Sequence, residues 1–473
     1  MKIALNLIAA SFLALFFAIG LQAQPSAPTV TQLFAFACDS TGKVCPDGEY
    51  PNSLLQSADG NFYGTALVGG AGNASDGGTV FKITASGQFT LLYTFEADPN
   101  GKYSNGDLPN SLVEGDDGFL YGTTLLGGAN NTGLVFKISK TGTFRVLNDN
   151  VGYNGYGPTT IVLGADGNLY GGTFGTNVTG GSLFRVTPSG TYTLLHALNA
   201  TVEGPMTLGM NLASDGNLYG TTLGGEELLT TLYRLTPSGQ FTVLQTIVYG
   251  QTLVSAPVQA PNGKLYGGLS RYEDQAEPSL FASNLSGSNF EDILLPQSVY
   301  GDEVQYLTPA SDSNLWCVMA DFDLNTVEVV SLSLNGTLLQ TVTFDGAKGE
   351  DPDAALVQGS DGRLFGVTQL GGTVQQGETA NGVVFTLDAG LAAPKPGLVI
   401  FSPSRGKVGA QVAIYGTHFA GATAVTFNGV SATFKVLNAG YLLATVPEGA
   451  TSGPIRVTNP GGTTVSKKDF TVE

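Results

Sequence analysis

Beyond its N-terminal segment the chain alternates apolar and polar positions in short runs, and no stretch repeats them at the 3.6-residue period of a helix. Alternation with period two is strand patterning. In the clearest segment, residues 53–57, 62–67, 79–84 and 88–95 read as four successive strands. Asp59-Gly60-Asn61 and Ser86-Gly87 supply tight turns between them, since Asp, Asn and Gly tolerate positive φ. A Gly-rich stretch joins the second strand to the third.

This four-strand unit recurs. The turn and strand of residues 59–64 (DGNFYG) return at 117–122, 166–171 and 215–220, with weaker copies at 262–267, 312–317 and 361–366. The aromatic position falls at Tyr63, Tyr121, Tyr170, Tyr219, Tyr266, Trp316 and Phe365. Four strands in a period near 50 residues describe a β-propeller blade. The seventh copy stops after its third strand, and residues 31–36 (TQLFAF) match the missing fourth. An N-terminal strand that completes the last blade removes an open sheet edge. The expected fold is all-β: a seven-bladed propeller over residues 28–390, its last blade closed by strand 31–36. A linker at 389–396 (AGLAAPKP) follows, and residues 397–473 carry short strands separated by Asn428-Gly429, Glu448-Gly449 and Asn459-Pro460-Gly461-Gly462, the pattern of a small Ig-like sandwich.

The repeats resemble the tandem GloVer repeat of bacterial surface proteins with varied anchors. The matching residues are DGNLYG at 166–171 and 215–220, GTVFKIT at 78–84, TLLYTF at 90–95, and paired glycines at 69–70, 127–128, 224–225 and 371–372. The resemblance implies export and brings no catalytic residues with it. The C-terminal part resembles an IPT/TIG domain through Ser402-Pro403, Gly406, Gly409, Val412, Ile414, Gly416, Phe419, Val425-Thr426-Phe427-Asn428-Gly429 and Val446-Pro447.

Charge narrows the function. Lys and Arg total 20 against 38 Asp and Glu, a net charge of −18, which argues against nucleic-acid binding. Residues 24–394 hold 12 basic and 35 acidic side chains, whereas 395–473 hold 7 and 3. Lys2 followed by an apolar run to Leu21 and a small residue at Ala23 reads as a signal peptide over residues 1–23, so the chain is expected to be secreted or displayed at the cell surface, with no transmembrane segment in its mature form. In an oxidising compartment Cys38 and Cys45 are expected to form a disulfide, and Cys317 to be a buried thiol.

In a four-strand meander the A–B and C–D turns share one face of the disc, and the B–C and D–A connections share the other. The first set is tight and regular, the second long and variable, so binding is expected on the second. That face carries tyrosines beside acids, a pairing suited to sugars: rings stack on apolar sugar faces and carboxylates accept hydroxyls. The expected ligand-binding residues are Tyr103, Tyr153, Tyr156, Tyr249, Tyr272 and Tyr300. Glu350, Asp351 and Asp353 are candidate calcium ligands, although they lack the spacing of an EF-hand loop. The repeated turn aspartates, and His196 and His418, read as structural. The leading expectation is a monomeric, non-catalytic recognition or display protein for an extracellular glycan or protein, without a cofactor unless calcium. The alternatives are a polysaccharide lyase, hydrolase or lactonase-like enzyme using Glu226, Glu227, Glu273 and Asp274, and a passive structural repeat protein of the cell surface.

Overall fold

The computed structural model describes residues 27–70, 77–149, 157–175, 179–223, 229–247, 251–271, 278–296, 303–321 and 326–473. The expected signal peptide, residues 1–23, lies outside them. All regular structure among the described residues is β. No helix there is long and apolar enough to cross a membrane.

Blade 1 is the antiparallel sheet Glu49–Gln56, Phe62–Val68, Thr79–Ile83 and Phe89–Thr94. Its innermost strand starts earlier than residue 53, the start expected from sequence, and contains Pro51. That strand pairs on one side only, and an unpaired edge tolerates proline. Blades 2, 3, 4 and 6 repeat the order, beginning with innermost strands Asp107–Glu114, Pro158–Leu163, Met206–Leu212 and Glu303–Pro309. In blades 5 and 7 the innermost strand is split, into Gln251–Leu253 with Val258–Gln259 and Glu350–Pro352 with Val357–Gln358. The outer strand of blade 7 is Thr29–Cys38, paired antiparallel to Thr379–Asp388 with Gln32 opposite Phe385.

The apolar core is a series of seven wedges, one between each pair of neighbouring blades. Tyr63, Val80 and Phe95 of blade 1 pack on Leu120, Phe136 and Ile138 of blade 2. The closing wedge joins Phe36, Phe365 and Val384 of blade 7 to Phe62 and Phe81 of blade 1, with Phe62 and Phe365 stacked at 4.0 Å. Burying both sheet faces of every blade in this way is the main apolar gain of the fold. At the rim, Phe34 stacks on Phe89 and Tyr93 on Phe144, each at 4.0 Å, and His196 takes the same place on Phe241 at 3.9 Å. Polar bonds repeat the linkage. The Ser360 amide donates to Gln56 Oε1 across the closing interface (3.1 Å), as Ser214 does to Gln259 and Ser311 to Gln358. The Cys38–Cys45 disulfide ties the chain where it passes from the outer strand of blade 7 to the innermost strand of blade 1.

The turn aspartates serve the fold. Asp59 accepts the Asn61 amide on one oxygen (3.0 Å) and the Tyr63 hydroxyl on the other (2.8 Å). The same Tyr–Asp bond, at 2.8 Å, joins Tyr121 to Asp117, Tyr170 to Asp166 and Tyr219 to Asp215.

The sandwich has one sheet of Gly397–Ser402, Gln411–Thr417, Tyr441–Thr445 and Phe434–Asn438, and a second containing Gly462–Val472, Gly453–Asn459 and Ala424–Phe427. Its own core includes Val412, Ile414, Phe427, Leu442, Ile455 and Phe470. It docks on the tight-turn face of the propeller. Asn438 Nδ2 donates to Glu114 O (3.2 Å) and to Asp116 Oδ1 (3.3 Å), both at the A–B turn of blade 2. Residues 389–396 are extended yet held down. Ser311 Oγ of blade 6 and Gln358 Nε2 of blade 7 both donate to Ala392 O, and Asn459 Nδ2 of the sandwich donates to Pro394 O.

Candidate functional site

The long-loop face is what the docked sandwich leaves open. Three of its D–A connections end in the same pattern of glycine, acid, a variable residue and proline: Gly48-Glu49-Tyr50-Pro51, Gly106-Asp107-Leu108-Pro109 and Gly349-Glu350-Asp351-Pro352. In each the third residue is left-handed, with φ of 55° at Tyr50, 57° at Leu108 and 63° at Asp351. Non-glycine residues seldom adopt this conformation, least of all before proline. The reversal sets the step against the preceding blade. Leu108 N donates to Gly77 O (3.0 Å), and Glu49 accepts from Asn381 Nδ2 (2.6 Å). Burial pushes the Asp47, Glu49 and Asp107 carboxyls above their ordinary pKa values.

Next along the innermost strand comes a ladder that steps from blade to blade. A β-bulge in blade 1 turns Asn52 sideways: its Nδ2 donates to Pro109 O of blade 2 (2.9 Å), and its Oδ1 accepts from Thr65 (2.7 Å). Asn110 repeats this toward Pro158 O (2.9 Å), with Thr123 behind it (2.6 Å). Blade 7 departs from the pattern at three positions. Asp353 stands in the asparagine column, Val367 in the threonine column, and Gln369 in the column of Leu67 and Leu125. An ionised carboxylate cannot donate. Asp353 instead accepts on both oxygens, from the Tyr306 hydroxyl of blade 6 (2.9 Å) and from Gln369 Nε2. Tyr306 is itself left-handed, at φ 51°. Glu303, which accepts from Gln305, and Asp351 complete the group.

Burial, reinforced by Asp351, raises the Asp353 pKa against the bonds from Tyr306 and Gln369. Burial, with Asp353, Asp351 and Glu303, pushes the Tyr306 hydroxyl far up. The cluster is thus a fixed array of acceptors. Asp353 retains lone pairs for a further donor, because a carboxylate offers about four acceptor sites. Two hollows among the described residues lie at the outer rim, about 570 Å³ beside Tyr93 and Asp98 and about 650 Å³ beside Lys264 and Glu291, and neither includes Tyr306 or Asp353.

Of the residues expected from sequence, Tyr153, Tyr156, Tyr249, Tyr272, Tyr300, Glu226, Glu227, Glu273 and Asp274 lie outside the described residues. Tyr103 is half-buried. Its ring and Asp107 lie so close to the bare backbone of Gly77 that a Cβ there would come within 2.9 Å of both, so the ring packs a loop. Glu350, Asp351 and Asp353 do not bring their ligand atoms within 4.8 Å of one another. Among the described residues the one group of three metal-type ligands within 4.8 Å of one another is Cys38, Cys45 and Glu49, and its sulfurs are joined in the disulfide. Cys317 is a buried free thiol whose pKa burial raises. Glu203 Oε2 bonds His196 Nε2 at 3.0 Å, and burial lowers the pKa of His418. Tyr306 and Gln369 escape a reading residue by residue, and departure in the first two columns does not single out blade 7, because blade 3 holds Thr159 and Gly172 there.

Residues 21–228 and 205–427 match the Gloeobacter/Verrucomicrobia repeat, and residues 399–472 match the IPT/TIG domain. No curated protein matches the sequence. Similar solved structures include a putative gluconolactonase (11% identity, 78% of this chain and 95% of that one, TM-score 0.42). Others are a putative 6-phosphogluconolactonase from Bacteroides uniformis (16%, 62% and 85%, TM-score 0.43) and a luciferin-regenerating enzyme (13%, 76% and 95%, TM-score 0.40). The repeat match spans most of the length, so the chain belongs to the Gloeobacter/Verrucomicrobia repeat family and ends in an IPT/TIG domain.

Proposed function

We propose that this protein is an exported surface protein whose propeller recognises an extracellular glycan or protein through its long-loop face. The supporting observation is the Tyr306–Asp353–Gln369 group. Blades 1 and 2 spend this column on an asparagine that donates to the next blade, and blade 7 replaces it with an acceptor array whose carboxylate bonds back to blade 6. Such an array suits hydroxyl-rich or amide-rich ligands, which supply donors. The sandwich, fastened to the opposite face, acts as a mount. The test is a glycan and polysaccharide array probed with the purified mature chain, in calcium and again in EDTA, beside the Asp353→Asn and Tyr306→Phe variants. Specific binding that falls at least tenfold in both variants is expected. Binding unchanged in both would place recognition elsewhere on the face, and turnover of the bound glycan would replace recognition with catalysis.

A further inference from the structure

We propose that the Asp116 carboxyl is a protonation-controlled latch between the two domains: protonated, it fastens the sandwich to the propeller; ionised, it loosens it. Asp116 sits in the A–B turn of blade 2, where the other well-formed copies of the turn hold Ala58, Ala165 and Ser214. Opposite it, Asn438 is 3% exposed. Asn438 Oδ1 accepts the Gly440 amide (2.8 Å), which fixes the side-chain amide so that its NH₂ points at Glu114 O and Asp116 Oδ1. Tyr415, stacked on Tyr441 at 4.7 Å, supplies a second hydrogen bond to the carboxyl. The sandwich therefore meets the propeller at an acid.

The charges around it make its ionisation costly. Asp117 neighbours it on its own turn, and Asp166 faces it from the turn of blade 3. A Cβ on Gly167 would lie 3.0 Å from Asp116 Oδ2, so the carboxyl abuts that turn directly. The nearby lysines are already committed: Lys137 to Asp117 (2.6 Å) and Lys140 to Glu114. Lys435, on the strand that carries Asn438, is exposed. Burial, with Asp117 and Asp166, outweighs the bonds from Asn438 and Tyr415 and raises the Asp116 pKa to about 6. Undocked, the carboxyl regains water but keeps Asp117 and Asp166 beside it, so its pKa falls part of the way back toward the ordinary value of about 4. The docked state therefore binds the proton more tightly. Its advantage is complete below the undocked value and is lost as pH rises through about 6. Two units set a ceiling of about 100-fold, and partial hydration brings the expected change to about tenfold.

The test is hydrogen exchange on the full chain at pH 4.5 and pH 8, corrected for intrinsic rates. Peptides spanning Glu114 to Asp117 and Phe434 to Thr445 are compared with the uncovered turn at Asp215. The expected result is interface protection about tenfold lower at pH 8, with the Asp215 turn unchanged. Asp116→Asn, which imitates the protonated acid, keeps protection at both pH values, and Asn438→Ala loses it at both. Equal interface protection in the wild type at the two pH values, or a persistent drop in Asp116→Asn, overturns the latch.

Discussion

Closure of the ring depends on Phe36, and the fold makes a quantitative statement about it. The ring belongs to the N-terminal strand yet is fully buried in the wedge between blades 7 and 1. It meets Phe34 at 5.2 Å, Phe81 at 5.3 Å and Phe89 at 5.7 Å, all edge-on. Truncation in Phe36→Ala removes its transfer energy and leaves a cavity walled by strands that cannot collapse, a cost of about 3–5 kcal/mol. The lost edge contacts place it toward the upper end. Phe36→Leu refills most of the space and is expected to cost about 1–1.5 kcal/mol. For a unit of this size each kcal/mol moves Tm by roughly 1 °C, so calorimetry should find a drop of about 4–5 °C for the alanine variant and about 1 °C for leucine. Hydrogen exchange should localise the loss to the outer strand Thr29–Cys38, its partner Thr379–Asp388, and blade 1. A drop below about 1 °C for alanine, or protection lost equally in blade 4, would refute closure by this strand.

Other expectations follow from the same geometry. Reducing Cys38–Cys45, or replacing both with serine, frees a loop closed across a separation of 7 and should cost about 2–3 kcal/mol, read as faster exchange at the crossing into blade 1. Asp351→Gly relieves a left-handed non-glycine residue at φ 63° and should raise stability by about 1 kcal/mol in denaturant titration. Tyr63→Phe leaves the Asp59 carboxylate short of a donor and should cost about 1–2 kcal/mol. Burial acts to raise the pKa of Asp59 and Asp117, but hydrogen bonds, aided at Asp117 by Lys137, prevail and lower it. Their contribution is therefore present above the ordinary carboxylate pKa and lost as pH falls through the lowered one, which a urea series between pH 5 and pH 2 would resolve.

Much of the architecture is legible in the chain because a blade is a local object. Asp-Gly turns, alternation and a repeat near 50 residues specify four strands without reference to anything distant. The absent fourth strand of blade 7 and the matching run before blade 1 then specify a closed ring. The pairing of Gln32 with Phe385 is long-range, yet it follows from sequence because edge pairing leaves one compatible strand. The innermost strands were legible only in part, since Pro51, Pro109 and Pro352 interrupt the pattern that marks strands and are tolerated only where an edge faces no neighbour.

The candidate site is a different matter. Asp353 was recognisable as one acid among several, but its partners come from blade 6 and from another strand of blade 7. Asp116 carries no signal in the sequence; Asn438, more than 300 positions later, is what meets it. The sequence by itself determined most of the strands, the number of blades and the order in which they close, because those depend on φ preferences and on apolar period within each repeat. Only the tertiary structure decided which acids are buried, which tyrosine meets which carboxylate, and which face of the disc stays open. Burial and charge proximity are properties of neighbours in space, and a linear pattern does not carry them.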